Sequence, residues 1–139
     1  MQETSKPTKA ILTRLKPSLD LPENIINEIQ ASFPNALVIF PGDYKKILLF
    51  PRQTSRILWV RLVLSSKALQ QDFFMSISKL METLEMKAIY TTGVCSQGTY
   101  CTWEGFIDYV PKLEGRNLEK EFRQLTTVQQ VEITILEVA

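Results

Sequence analysis

Histidine is absent from this chain. That removes the commonest general base and the commonest metal ligand, and with them any Ser-His-Asp or Cys-His site built from the chain alone. Only two cysteines are present, Cys95 and Cys101. They are too few for a disulfide framework, and their spacing does not fit a zinc knuckle. The five glycines, at 42, 93, 98, 105 and 115, are scattered and form neither a phosphate-cradling loop nor a dinucleotide fingerprint. No apolar run approaches the roughly 18 residues needed to cross a bilayer. The polar opening Met1-Gln2-Glu3-Thr4-Ser5-Lys6 lacks the apolar segment of a secretory signal. These absences lead us to expect a cytoplasmic, non-enzymatic protein without metal or cofactor. In a reducing compartment Cys95 and Cys101 are expected as two buried thiols, although they flank a turn on adjacent strands and are near enough to be oxidised together.

What is present is ample core material: apolar residues make up 45% of the 139, enough for one domain or a domain with an appendage. The net charge of +1 is unevenly spread. Residues 1–67 hold ten Lys/Arg against five Asp/Glu, and residues 68–139 hold six against ten. A basic set of Lys45, Lys46, Arg52, Arg56 and Arg61 could meet an anion, or the two halves could answer each other. The overall balance is too small for a dedicated nucleic-acid binder.

Residues 1–8 read as a disordered tail, and residues 9–55 as a strand/helix/hairpin subdomain. Lys9 to Lys16 fits a strand or a short helix ended by Pro17. Asp20-Leu21-Pro22-Glu23 is a helix start, with Asp20 as cap, and Ile25, Ile26, Ile29 and Phe33 fall on one face. Ala36–Phe40 and Lys46–Phe50 flank Pro41-Gly42-Asp43-Tyr44, a hairpin signal closed by Pro51. Arg52-Gln53-Thr54-Ser55 is the expected linker.

Residues 56–139 carry the stronger pattern. In Arg56 to Leu64, Leu58, Val60, Leu62 and Leu64 share one face, with Trp59, Arg61 and Val63 on the other. Leu69, Phe73, Ile77, Leu80 and Leu84 mark an amphipathic helix. Lys87–Val94 and Tyr100–Val110 form a hairpin about Ser96-Gln97-Gly98-Thr99. Asn117 caps a short helix with Leu118, Phe122 and Leu125 inward. Gln130–Val138 is a closing strand with Val131, Ile133 and Ile135 inward. The order is strand, helix, hairpin, helix, strand: an α+β, ferredoxin-like βαββαβ sandwich of four antiparallel strands under two helices. The 9–55 region repeats its opening, so a degenerate half-repeat and a chance likeness both stand.

On the sheet face away from those helices, Trp59 and Phe106 mix with Arg61, Glu104, Asp108 and Glu132. Such a face is too apolar to be bare and too charged to be core, so something covers it. The N-terminal hairpin, a second copy of the chain, or a ligand or nucleic acid are the candidates. Trp59, Arg61 and Phe106 are the expected interface. As acid–base groups, Asp43, Glu104 and Asp108 are isolated. Glu104 and Asp108 lie roughly 13 Å apart along a strand, too far to cooperate.

In order of elements and in length, the 56–138 segment resembles the ACT-like family of small regulatory domains. The resemblance rests on topology over roughly 60% of the chain. It implies a homodimer and a small effector bound near the first strand-to-helix loop, here Leu64-Ser65-Ser66-Lys67-Ala68-Leu69. Ser65, Ser66 and Lys67 would hold the effector there, where that family usually has an Asp or Asn and a Gly; alternatively the two serines cap the following helix. A second resemblance competes. Leu58-Trp59-Val60 and Gly105-Phe106-Ile107-Asp108-Tyr109 are similar to the two aromatic strand motifs of the RNA-recognition motif. Trp59 and Phe106 would then stack on bases. Glu104 stands where that family has another stacking aromatic, and Thr102 where it has a basic residue. The expected function is a regulatory or interaction module that binds an effector or a protein partner, with nucleic-acid binding as the alternative.

Overall fold

The computed structural model describes residues 8–17, 21–96 and 98–138. It is a mixed α+β protein with two antiparallel sheets, one of three strands and one of four. The chain divides into two compact units. One contains the residues up to Arg56 with those from Leu136 onward; the other spans Ile57–Ile135.

The first unit runs β1 (Lys9–Arg14), α1 (Glu23–Gln30), β2 (Asn35–Phe40) and β3 (Leu48–Arg52), in sheet order β1-β2-β3. Of the run Lys9–Lys16, Lys9–Arg14 is strand, with β1 pairing against β2 from Lys9↔Phe40 to Arg14↔Asn35. Pro22 stands at the N-cap of α1, where a residue without an N–H costs nothing; the expected cap, Asp20, lies outside the described residues. Only part of the expected α1 stripe is inward. Ile26 is buried with Leu15 and Ala36, and Ile29 packs beside them, whereas Ile25 is 49% and Phe33 37% exposed. The helix stops at Gln30, so Phe33 lies beyond the turn that would have carried it inward. Gln30 Nε2 donates to the Leu15 carbonyl.

Pro51 does not close the hairpin; it lies inside β3 and pairs in register with Ala36. The sheet tolerates it because β3 is outermost, where a missing N–H costs no ladder bond. The turn is built locally, by Asp43 Oδ1 accepting from the Lys45 amide at 3.1 Å. Asn35, buried at 9%, donates from Nδ2 to the Thr54 carbonyl at 3.0 Å.

The second unit is built from β4 (Arg56–Ser65), α2 (Gln71–Thr83), β5 (Ala88–Cys95), β6 (Tyr100–Asp108), a short 3-10 turn, α3 (Leu118–Arg123) and β7 (Val128–Glu137), of which Arg56 and residues 136–137 count with the first unit. The strands lie in the order β5-β6-β4-β7. Leu58, Val60, Leu62 and Leu64 of β4 are fully buried in one cluster with Phe73, Ile77 and Met81 of α2 and Leu118 and Phe122 of α3. Both helices therefore cover the same sheet face. At roughly 1.5–3 kcal/mol for each large apolar side chain taken from water, this cluster is the main source of the unit's stability.

Its helix ends are specified residue by residue. The Asn117 side chain accepts from the Lys120 amide at 3.1 Å, as its capping role predicts. The end of α2 is closed by the Met86 amide donating to the Met81 carbonyl at 2.8 Å, with Glu85 in the left-handed region at φ 56°. One inward expectation fails. Val131 and Ile133 pack on the core, but Ile135 is 41% exposed, since the closing strand has left the helix layer by then.

The two openings share their order of elements but not their pairing. β1 is antiparallel to its neighbour β2, whereas β4 is separated from β5 by β6. The first unit is therefore not half of a structural repeat.

Candidate functional site

Three places in the Ile57–Ile135 unit gather chemistry. The first is the sheet face away from the helices. Trp59 of β4 and Phe106 of β6 are register partners, and their rings stack at 5.2 Å between centroids with 23° between planes. Tyr90 of β5 continues the row at 6.4 Å from Phe106. An aromatic band thus crosses three strands. Phe106 has no exposed surface, while Trp59 and Tyr90 are half-buried. A base-stacking platform needs an open ring face, and Phe106 offers none.

The carboxylate that broke the RNA-recognition pattern has an internal partner. Trp59 Nε1 donates to Glu104 Oε2 at 2.8 Å, and Glu104 is buried at 7%. A buried carboxylate needs such a donor. Arg61, its register neighbour, reaches instead to Glu132 at 3.7 Å. So Trp59, Arg61 and Phe106 do share a face, but their polar atoms are held within it.

The second place is the loop after β4. Ser65 is half-buried, Ser66 and Lys67 are exposed, and Lys67 takes φ 63°. The serines do not cap α2. Its N-cap is Gln70, without a side-chain bond, because the turn from the Ser65 carbonyl to the Ala68 amide intervenes. The Ser65 amide is itself used, donating to the Thr127 carbonyl at 3.0 Å. A free backbone cradle for an effector carboxylate is thus not built from this amide.

The third place was not legible from the sequence: a groove of about 770 Å³ between α2 and β5, lined by Phe74, Ile77, Met81, Met86 and Trp103. Its polar lining is Glu82, Glu85 and Lys87, with Ser78 and Thr91, and Ala88 completes it. Trp103 forms the floor, meeting Phe73 edge-on at 6.4 Å. Lys112 bonds Glu85 at 2.7 Å. That hydrogen bond, and then the ammonium charge, hold the Glu85 carboxyl below the ordinary glutamate range. The one signal available beforehand was Phe74, an aromatic off the inward stripe of α2 and 45% exposed.

The basic set is not drawn together. Lys45 and Lys46 lie at the β2–β3 turn, whereas Arg52 pairs with Asn35 at the opposite end of that hairpin. Arg56 lies 3.4 Å from Glu137. Among the described residues no group of three His, Cys, Asp or Glu side chains is placed to hold a metal, and no helix is long and apolar enough to cross a membrane.

The expectation of two buried thiols is overturned. Cys95 and Cys101 form a disulfide across the β5–β6 hairpin, with Cα atoms 4.0 Å apart. They are direct register partners, so both side chains leave the same face at the same level. Cys101 is buried and Cys95 exposed.

No protein-family model matches the chain, and no curated protein is similar to it. The functional reading therefore rests on geometry.

Proposed function

We propose that the chain is a non-catalytic regulatory or interaction module of ACT-like character, with a ferredoxin-like second unit that pairs with a second copy through β5 and takes a small effector. The strand order β5-β6-β4-β7, with α2 and α3 on one face, supports the ferredoxin-like reading.

The observation that carries the self-pairing is the composition of the outermost strand. Ala88-Ile89-Tyr90-Thr91-Thr92-Gly93-Val94-Cys95 contains no charge and no proline, and Val94 is 59% exposed. Edge strands are ordinarily blunted by Lys, Pro or short length against pairing with another chain. The opposite outermost strand, β7, does carry Glu132 and Glu137. An eight-residue edge without such protection fits antiparallel pairing with its own copy about a twofold axis.

Sedimentation equilibrium of the intact protein at micromolar concentrations tests the reading. A dimer is expected, with Val94→Lys raising its dissociation constant about tenfold or more, since a lysine on an edge strand opposes pairing with another chain. A monomer throughout, or a dimer untouched by that variant, refutes pairing through β5. Salt-sensitive binding of a mixed single-stranded oligonucleotide would favour the nucleic-acid reading instead.

A further inference from the structure

We infer that the groove between α2 and β5 is a binding site for an uncharged lipophilic small molecule bearing one hydroxyl group. It deepens the effector half of the proposed function and is independent of self-pairing.

Size comes first. About 770 Å³ falls inside the roughly 300–1,000 Å³ of small-molecule sites. The walls come next: Ile77, Met81 and Met86 are aliphatic or thioether surfaces, and Phe74 and Trp103 bring two rings. Methionine adapts to flat ring systems, and aromatic edges favour stacked or edge-on rings. A body of fused or substituted rings is the natural complement.

The charged lining decides the polar group. Glu85 is already engaged by Lys112, which leaves Glu82 and Lys87, one of each sign, among the lining residues. An anionic head would meet Lys87 but be repelled by Glu82; a cationic head would meet the reverse. A hydroxyl is repelled by neither, since it can donate to a Glu82 carboxylate oxygen or accept from Lys87 Nζ. Ser78 and Thr91 also line the groove and add no charge.

The probe is 2-naphthol, titrated into the full-length protein by calorimetry, with 2-methoxynaphthalene and 2-naphthalenesulfonate as comparisons. Saturable binding at one molecule per chain is expected in the micromolar range. The methyl ether, which cannot donate, should bind about tenfold more weakly, and so should the sulfonate. Ser78→Trp from the helix side and Ala88→Trp from the strand side place an indole in the groove from exposed positions. Each should abolish binding while leaving circular dichroism and the melting temperature near wild type; the second guards against misfolding of the first. Non-saturable uptake, or binding undiminished in both folded variants, overturns the site. A methyl ether or sulfonate that binds as tightly as the naphthol overturns the hydroxyl assignment. The Val94→Lys variant, titrated in parallel, should bind naphthol unchanged, so loss of self-pairing and loss of the ligand site are read separately.

Discussion

Gly105 is the position at which one added methyl group should tell most. It lies in β6 on the helix-covered face, and a Cβ built there would stand 2.4 Å from Trp103 Cη2, 3.0 Å from Cζ3 and 3.1 Å from Cζ2. Ordinary contact begins about an ångström farther out than the first of these. The indole can yield only by giving up its packing, because Trp103 is 3% exposed and meets Phe73 edge-on. Overpacking of this kind costs roughly 1–3 kcal/mol. Replacing a mid-strand glycine returns roughly 0.5–1 kcal/mol through the unfolded chain. An overlap this deep belongs to the upper half of that range, so Gly105→Ala should lower stability by about 1–2.5 kcal/mol, read as a lower denaturant midpoint at unchanged slope. Gly93→Ala is the matched control. Its Cβ would meet Leu69 Cδ1 at 2.9 Å, but that is the far end of a flexible, half-buried side chain that can turn aside. The net change there should stay within about 0.5 kcal/mol. If Gly105→Ala were as stable as wild type, or if Gly93→Ala proved the more damaging, the stacking of Trp103 over Gly105 would be refuted.

Reducing the Cys95–Cys101 disulfide should cost about 2 kcal/mol, from chain-entropy closure of a short loop with a sequence separation of 6. Matched urea titrations with and without a phosphine reductant measure it, and coincident curves would refute the bond. Asn117→Ala should destabilise by about 1 kcal/mol through loss of the Lys120 amide's partner, while Asn117→Asp should nearly restore it; thermal melts of the three proteins suffice. The depressed Glu85 carboxyl gives a pH prediction with a definite sign. A lowered folded-state value means its pairing with Lys112 supports the fold above the ordinary glutamate range and loses that support as acid carries the pH down through the depressed value. Carbon-detected NMR titration should find the Glu85 midpoint below ordinary glutamates, and Lys112→Gln should move it up; no movement would refute the pairing.

Alternation and periodicity made the second unit legible because burial there follows simple geometry. Leu58, Val60, Leu62 and Leu64 alternate and are all fully buried, and Phe73 and Ile77 repeat at helical spacing on the face that meets them. The first unit was less legible because its helix is only eight residues long. A stripe from Ile25 to Phe33 outruns such a helix, and tertiary position decides which of its members turn inward. The serines after β4 misled for a related reason: capping preference is local, but Lys67 in a left-handed turn postpones the helix to Gln71. The sequence places Cys95 and Cys101 on adjacent strands, but the ground for expecting thiols is the compartment, which is not a property of the hairpin. Their register is, and it places the two side chains directly opposite.

The candidate site escaped the sequence because neither surface of the groove is a motif. It arises from what the hairpin lacks: no side chain at Gly105, so the Trp103 indole reaches over that position and lines the groove. The same strand sets the opposite face, where Phe106 and Glu104 point away from the helices and join the Trp59 band. Alternation along β6 thus separates two environments one residue apart, a closed aromatic face whose hydrogen bonds are internal and an open apolar groove whose polar mouth has groups to spare. A carboxylate on the closed face has already found its donor, so chemistry aimed at a ligand belongs on the groove side. On this argument Gly105→Ala should do more than weaken the fold: by driving the indole into the groove it should also impair naphthol binding, linking core packing and recognition through one methyl group.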